Sequence, residues 1–258
     1  MKKLTLGILA SLFLFSCGGN KGGSEAGGTA TIENETLHQE LFGGVYIVAG
    51  YGDLSAASQV SSKPGDGDFL KDMESFYSQY YIFPFGPSDA SGAKRMLSSA
   101  WGIKGKEDLI STGEQLLSEG HSKKYVEHLE FLKQNKDADL SALSIPASLD
   151  EDLLTYIKSD YAKYEGRTMK AWDYARYVNN INMGVGAGFL TKDEAKDLFA
   201  KMVPLAQADY DGWDAYFDDF LLGRELWNEG PDTEYAAAIT KIKNKEDKYN
   251  VYNYVLFK

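Results

Sequence analysis

Gly212-Trp213-Asp214-Ala215-Tyr216-Phe217-Asp218-Asp219-Phe220-Leu221-Leu222-Gly223-Arg224-Glu225-Leu226-Trp227-Asn228 reads as one amphipathic helix. At about 100° per residue, Trp213, Tyr216, Phe217, Phe220, Gly223, Arg224 and Trp227 share a face about 120° wide. Arg224 stands in the middle of that face. A guanidinium among aromatic side chains either snorkels to water or meets a carboxylate, because an unpaired buried charge costs several kcal/mol. Asp214, Asp218, Asp219 and Glu225 project from other faces, so the expected counter-ion belongs to another element.

Outward from this stretch, helix signals recur and strand signals are scarce. Ser148-x-x-Glu151 and Thr191-x-x-Glu194 have the capping-box form, in which hydroxyl and carboxylate satisfy each other's unpaired amides at a helix start. Asp211 and Asp232 are N-cap candidates, and Ser88 or Asp89 opens a helix ending near Trp101. The pattern predicts helices over 36–50, 68–80, 89–101, 106–119, 122–135, 149–163, 169–183, 192–208, 212–228 and 232–244. The fold class is therefore mainly α, a single compact multi-helix domain, with Tyr249 to Phe257 as a short β segment at the C-terminus. No fixed-period repeat is present.

At the other end, Lys2 and Lys3 precede an apolar run from Leu4 to Phe15 that closes on Leu14-Phe15-Ser16-Cys17. The run is too short to span a hydrocarbon core of about 30 Å and reads as a secretory signal. Leu14 at −3 and Ser16 at −1 mark Cys17, the single cysteine of the 258 residues, as a lipidation site. Residues 1–17 are expected to be a lipoprotein signal peptide, 18–34 a flexible Gly-rich tether and 35–258 the helical globular domain. A tether of some 15 Gly-rich residues reaches about 20–25 Å. Gly18 is not the Asp that retains many lipoproteins at the inner membrane, so the expectation is a lipid anchor in the bacterial cell envelope, on the outer membrane. Losing Lys2 and Lys3 with the signal takes the net charge from −11 to −13. Nucleic acid is excluded as a partner, because phosphate binding requires clustered Lys and Arg.

Within 169–183, Asp173, Arg176, Tyr177 and Asn180 lie on one polar face, opposite Tyr174, Val178 and Ile181. Two readings stay open: a solvated face with an Asp173–Arg176 pair worth a few tenths of a kcal/mol, or a face against 212–228 with Asp173 as the carboxylate for Arg224. Metal and cofactor motifs fail on geometry. His121 and His128 lie about 10 Å apart along a helix axis, too far to share one ion directly. Ser91-x-x-Lys94 lacks its companion motifs, and Gly184-Val185-Gly186-Ala187-Gly188 follows a helix instead of a strand, as a helix C-terminus does. The acidic set Asp209, Asp211, Asp214, Asp218 and Asp219 is spread around a helix and does not converge as a calcium loop would. No metal, cofactor or catalytic residue is expected.

Ala171-Trp172-Asp173-Tyr174-Ala175-Arg176, Gly188-Phe189-Leu190 leading to Asp193-Glu194-Ala195, and Leu222-Gly223-Arg224-Glu225-Leu226-Trp227 resemble the bacterial domain of unknown function 1266 family. Trp101-Gly102-Ile103, Leu116-Leu117 and Gly120-His121 extend the resemblance, which covers about 95–230. The resemblance implies a helical domain without an assigned activity, with Trp101, His121, Trp172, Trp213, Tyr216 and Trp227 as its motif and core residues. Tyr174-Ala175 departs from the Leu and Gly often found there. Location and surface together favour a membrane-tethered module that binds a protein partner, of protective or immunity type. The alternatives are a glycan or small-ligand binder, suggested by 17 Tyr and 4 Trp as stacking platforms, and an uncharacterised hydrolase.

Overall fold

Residues 34–51, 63–64, 66–79 and 90–258 are described by the structure, a computed structural model. The signal, the lipidation site Cys17, the tether up to residue 33 and the candidate caps Ser88 and Asp89 lie outside the described residues. The helices are α1 Glu35–Leu41, α2 Gly44–Tyr51, α3 Gly67–Gln79, α4 Ala90–Trp101, α5 Lys106–Ser118, α6 Ser122–Gln134, α7 Glu151–Ser159, α8 Tyr161–Tyr164, α9 Lys170–Gly186, α10 Lys192–Asp209, α11 Trp213–Asn228 and α12 Thr233–Ile242. Among the described residues there is no strand. No described helix is long and apolar enough to cross a membrane.

α9 is the central element. Thirteen of its 17 residues are buried, on every side, as α4, α5, α10 and α11 all pack against it. This corrects the solvated polar face read from the sequence: Asp173, Arg176, Tyr177 and Asn180 are buried along with Tyr174, Val178 and Ile181. A helix surrounded by others has no outside face, whatever its polarity pattern. α11 packs tightly on α9 at Gly223, where an added Cβ would lie 2.8 Å from the Cβ of Trp172. The aromatic face of α11 turns inward as its period requires. Trp213, Tyr216, Phe217 and Phe220 are buried, and Trp213 stacks on Phe217.

Local side-chain caps explain several helix starts, but not that of α11, where Gly212 is the cap residue and the expected cap Asp211 pairs with Lys258 instead. Thr191 and Glu194 form the full capping box at α10, and Asp232 accepts from the Tyr235 amide at α12. Asn34 caps α1 and donates to Glu74 of α3 at 2.8 Å, so the last residue assigned to the tether is part of the helical body. Three boundaries differ from the sequence reading. Asp150, not Ser148, caps α7, accepting from the Asp152 and Leu153 amides. The helix read over 149–163 breaks at Asp160 into α7 and α8, and that over 36–50 breaks at Phe42-Gly43 into α1 and α2.

The C-terminal segment is a second correction. Where a β segment was expected, Val251–Asn253 form a 3-10 turn started by the Asn250 side chain, which accepts from the Tyr252 amide and donates to the carbonyls of Ile242 and Asn244. No strand stands beside it, among the described residues, to receive a ladder. The tail instead seals the end of the core, with Trp213 donating to the Val255 carbonyl at 2.8 Å and Tyr252 to the Leu41 carbonyl at 2.9 Å.

Candidate functional site

The motif residues that the sequence scatters over 120 positions meet where α6 begins. α5 ends and the chain turns at Gly120, whose φ of +58° is left-handed. An added Cβ there would also overlap the carboxylate of Asp173. Glycine is thus required twice, for the backbone and for the approach of α9. The turn aims the first amides of α6 at Asp173: His121 N–H donates to Oδ1 at 3.0 Å and Ser122 N–H to Oδ2 at 2.9 Å. Asp173 therefore caps a helix 50 residues away in sequence, at the positive end of its dipole.

Arg176, one turn further along α9, completes the arrangement. Its Nη2 bonds Asp173, its Nε donates to the Trp172 carbonyl at 3.3 Å, and its Nη1 donates to His121 Nδ1 at 3.0 Å. The guanidinium lies 3.5 Å from the Trp172 ring centroid and 5.5 Å from that of Trp101, so both its charge and its faces are occupied. Burial pulls the Arg176 pKa down and Asp173 pushes it back up.

Since arginine only donates, Nδ1 of His121 is an acceptor, and in the neutral ring the proton sits on Nε2. The imidazole pKa is lowered first by burial and then by Arg176. Its ring centroid lies 5.5 Å from that of Trp172 and 5.2 Å from that of Trp227, and those two indoles stand 5.6 Å apart. Trp227 is 55% exposed, the most exposed of the large apolar side chains described. Beside His121, a concavity of about 390 Å³ opens between the end of α4, α5 and the start of α6, with Trp101, Gln115 and Lys124 among its walls. The cluster is thus a locked cation and anion beneath an aromatic surface. It holds a hydrogen-bond donor ready, but not a base, because the Nε2 lone pair becomes available only if Nδ1 takes a proton that would face Arg176.

Arg224 is not part of this cluster, which corrects the expected pairing with Asp173. Its Nε and Nη2 contact Asp232 Oδ2 at 2.9 and 2.8 Å, and its guanidinium lies 4.6 Å from the Tyr235 ring centroid. The counter-ion does come from another element, the cap of α12, whereas Asp173 is already satisfied by three donors. The other candidates read from the sequence resolve into separate contacts. Trp213 and Tyr216 are core, and Tyr216 donates to the Phe42 carbonyl at 2.9 Å. His128 has both ring nitrogens engaged, Nδ1 with the Lys124 carbonyl and Nε2 with the Asp150 amide. Asp209, Asp211, Asp214 and Asp218 each pair with a different lysine. Among the described residues no three His, Cys, Asp or Glu side chains converge as metal ligands.

Asp219 is the polar residue whose role the sequence hid. It lies buried at the start of α9, taking the Tyr210 hydroxyl and Thr168 Oγ1, the latter at 3.3 Å, while Tyr210 oxygen accepts from the Ala171 amide at 2.8 Å. Burial raises its pKa, and the hydrogen bond from Tyr210 and those from backbone amides at the start of α9 draw it back. Its place in an acidic run gave no sign of this. Lys124 and Gln115 were likewise unmarked, the only hint being the turn at Gly120 that sets the wall they share.

A family model described as "Protein of unknown function (DUF1266)" matches residues 96–255, more than half of the chain and further toward the C-terminus than the resemblance read from motifs. Two Escherichia coli K12 proteins are similar. The uncharacterized protein YbeU is 29% identical over 162 residues, covering 61% of this chain and 69% of that protein. The uncharacterized protein YbeR is 26% identical over 167 residues, covering 62% and 70%. No solved structure matches the chain.

Proposed function

Because the chain belongs to the DUF1266 family, whose description states no activity, we propose its function from the cluster itself: it is a binding module that engages a protein partner through the surface centred on Trp227. The observation that supports this reading is the pairing of exposure with rigidity at one residue. Trp227 is 55% exposed, yet its ring is held edge-on against His121 and beside Trp172, which Arg176 and Asp173 fix in turn. Interface energy concentrates in aromatic anchors of this sort, and an anchor already immobilised loses little further freedom on binding. The engaged Nδ1 of His121 speaks for binding over general-base hydrolysis. We place the module in the bacterial cell envelope, lipid-anchored through Cys17 on the outer membrane, where an immunity-type or protective role would suit a tethered domain with no basic patch.

One experiment tests both halves. Full-length protein, Cys17→Ala and Trp227→Ala are expressed in a Gram-negative host and cross-linked before detergent phase separation. Cys17→Ala is expected to leave the detergent phase. Trp227→Ala is expected to stay there, unfold at the temperature of the parent, and lose at least tenfold of its specific cross-links, since hot-spot truncations cost about 2 kcal/mol or more. An unchanged cross-linking pattern for Trp227→Ala rejects the partner surface, and unchanged partitioning of Cys17→Ala rejects the anchor.

A further inference from the structure

The concavity beside His121 is walled by Trp101 at the end of α4, Thr112 and Gln115 on α5, and His121 and Lys124 at the start of α6. Its volume of about 390 Å³ falls within the range of small-ligand sites, about 300–1,000 Å³. Its charge is unlike that of the chain. The sequence carries a net charge of −11, yet among the described residues no Asp or Glu lines this space and Lys124 does. Lys124 is loosely held, its Nζ 3.6 Å from Asp150 Oδ2 and about half of its side chain exposed. Asp150 itself is engaged elsewhere, accepting from the Asp152 and Leu153 amides. Asp173, behind the wall, is neutralised by Arg176 and two amides.

Each remaining group is set for one kind of contact. The Trp101 indole is fixed by the guanidinium of Arg176, 5.5 Å from its centroid. A cation beside an indole draws density from the ring, which favours a flat, electron-rich partner on a free face over the C–H edges of an aliphatic ring. His121 accepts at Nδ1, so its Nε2–H is the ring group with no partner among the described residues, a donor and not an acceptor. Gln115 and Thr112 offer hydrogen bonds to the rim of a ring. We propose that this concavity binds a small planar aromatic carboxylate, stacked on Trp101, with its carboxylate shared between Lys124 Nζ and His121 Nε2–H. Trp227 is not among the described residues that line this space.

The test uses the full chain and four probes, benzoate, benzamide, cyclohexanecarboxylate and glucuronate, read by indole fluorescence and by the 15N shift of His121 Nε2. Benzoate is expected to bind at low millimolar concentration or better, to shift Nε2, and to bind at least fivefold tighter than each of the other three. Lys124→Gln is expected to remove the preference for benzoate over benzamide. Thr112→Phe, which fills the cavity from α5, is expected to abolish binding of all four, with its thermal unfolding as the check on folding. Should Thr112→Phe unfold, Lys124→Gln at its half-exposed position carries the test alone. Lys124→Gln, outside the Trp227 surface, is expected to keep the parent's cross-links, so loss of the partner surface and loss of this site are told apart. No binding of benzoate at 20 mM, about tenfold above the expected range, overturns the proposal. So does a stronger response to glucuronate or cyclohexanecarboxylate, or a benzoate preference that survives Lys124→Gln.

Discussion

Asp173 is 1% exposed and receives three donors, two of them the leading amides of a helix that comes from elsewhere in the chain. Its value to the fold lies in this double use, as cap and as counter-ion. Asp173→Asn removes the charge opposite a buried guanidinium and turns an NH2 group toward an amide donor. The expected cost is about 3–5 kcal/mol, read as a lowered urea midpoint. Arg176→Met is expected to cost less than that, and the double variant less than the sum of the two, because the second change removes a group the first left unpaired. Additive losses would reject the pairing. The Arg224 cycle should couple with Asp232→Asn and not with Asp173→Asn, and more weakly, since the Arg224 side chain keeps 22% of its exposure. The sequence made the need for a carboxylate near Arg224 legible, because a helical period places it among aromatics. It did not make the partner legible. Spacing of three within α9 looks like an exposed i, i+3 pair, and what buries it is the arrival of α6, a contact across 51 and 52 residues.

Elements in this fold are joined by caps that cross from one helix to another. Asp173 of α9 caps α6, Asp219 of α11 sits over the start of α9, and His128 of α6 accepts the Asp150 amide at the start of α7 at 2.8 Å. His128 donates from Nδ1 to the Lys124 carbonyl, so Nε2 is the acceptor and the ring must be neutral. His128→Phe keeps the ring volume and removes that acceptor, leaving a part-buried amide unsatisfied at a cost of about 1–3 kcal/mol. Hydrogen exchange is the sharper readout. The Asp150 amide is expected to lose protection while the amides of α9 keep theirs, and equal protection of Asp150 in both proteins would refute the clamp. Local signals explain which boundaries were readable. The Thr191–Glu194 box closes within four residues and was legible. Asp150 outcompetes Ser148 at α7 because His128 takes its amide as well, which no local pattern records. The tail from Tyr249 to Phe257 has the Tyr and Val content of a strand, but that composition only suits a half-buried surface, and Phe42 and Trp213 supply one without a sheet.

At the scale of the molecule, buried titratable groups of opposite sense set the pH at which the fold is most stable. All three histidines are depressed, each chiefly by burial: His38 beneath the C-terminal tail, His121 beside Arg176, and His128 at the α6–α7 clamp. With folded pKa values below the unfolded value of about 6.5, each makes the unfolded chain the better proton binder, so stability is full above pH 6.5 and falls as pH drops through the folded values. Glu40 acts the other way. Burial in the core between α1 and α9 raises it from 4.5 to about 8, with the hydrogen bond from Asn182 only partly opposing. The native state keeps a proton the unfolded chain gives up, so its contribution is complete below pH 4.5 and is lost as pH rises through 8. Each group contributes a slope of at most about 1.4 kcal/mol per pH unit. Below pH 6.5 the three histidines oppose Glu40 and the likewise raised Asp219, and stability should fall with acid; between 6.5 and 8 the histidines have lost their protons in both states and Glu40 makes stability fall with base. A maximum near pH 6.5 is therefore expected in urea midpoints measured from pH 5 to 9. Glu40→Gln keeps an oxygen for Asn182 and has no proton to lose, so it should flatten the limb from 6.5 to 8 and steepen the acid limb, where Glu40 no longer opposes the histidines. A Glu40→Gln protein that loses stability toward pH 8 as steeply as the parent would show that the alkaline limb arises elsewhere.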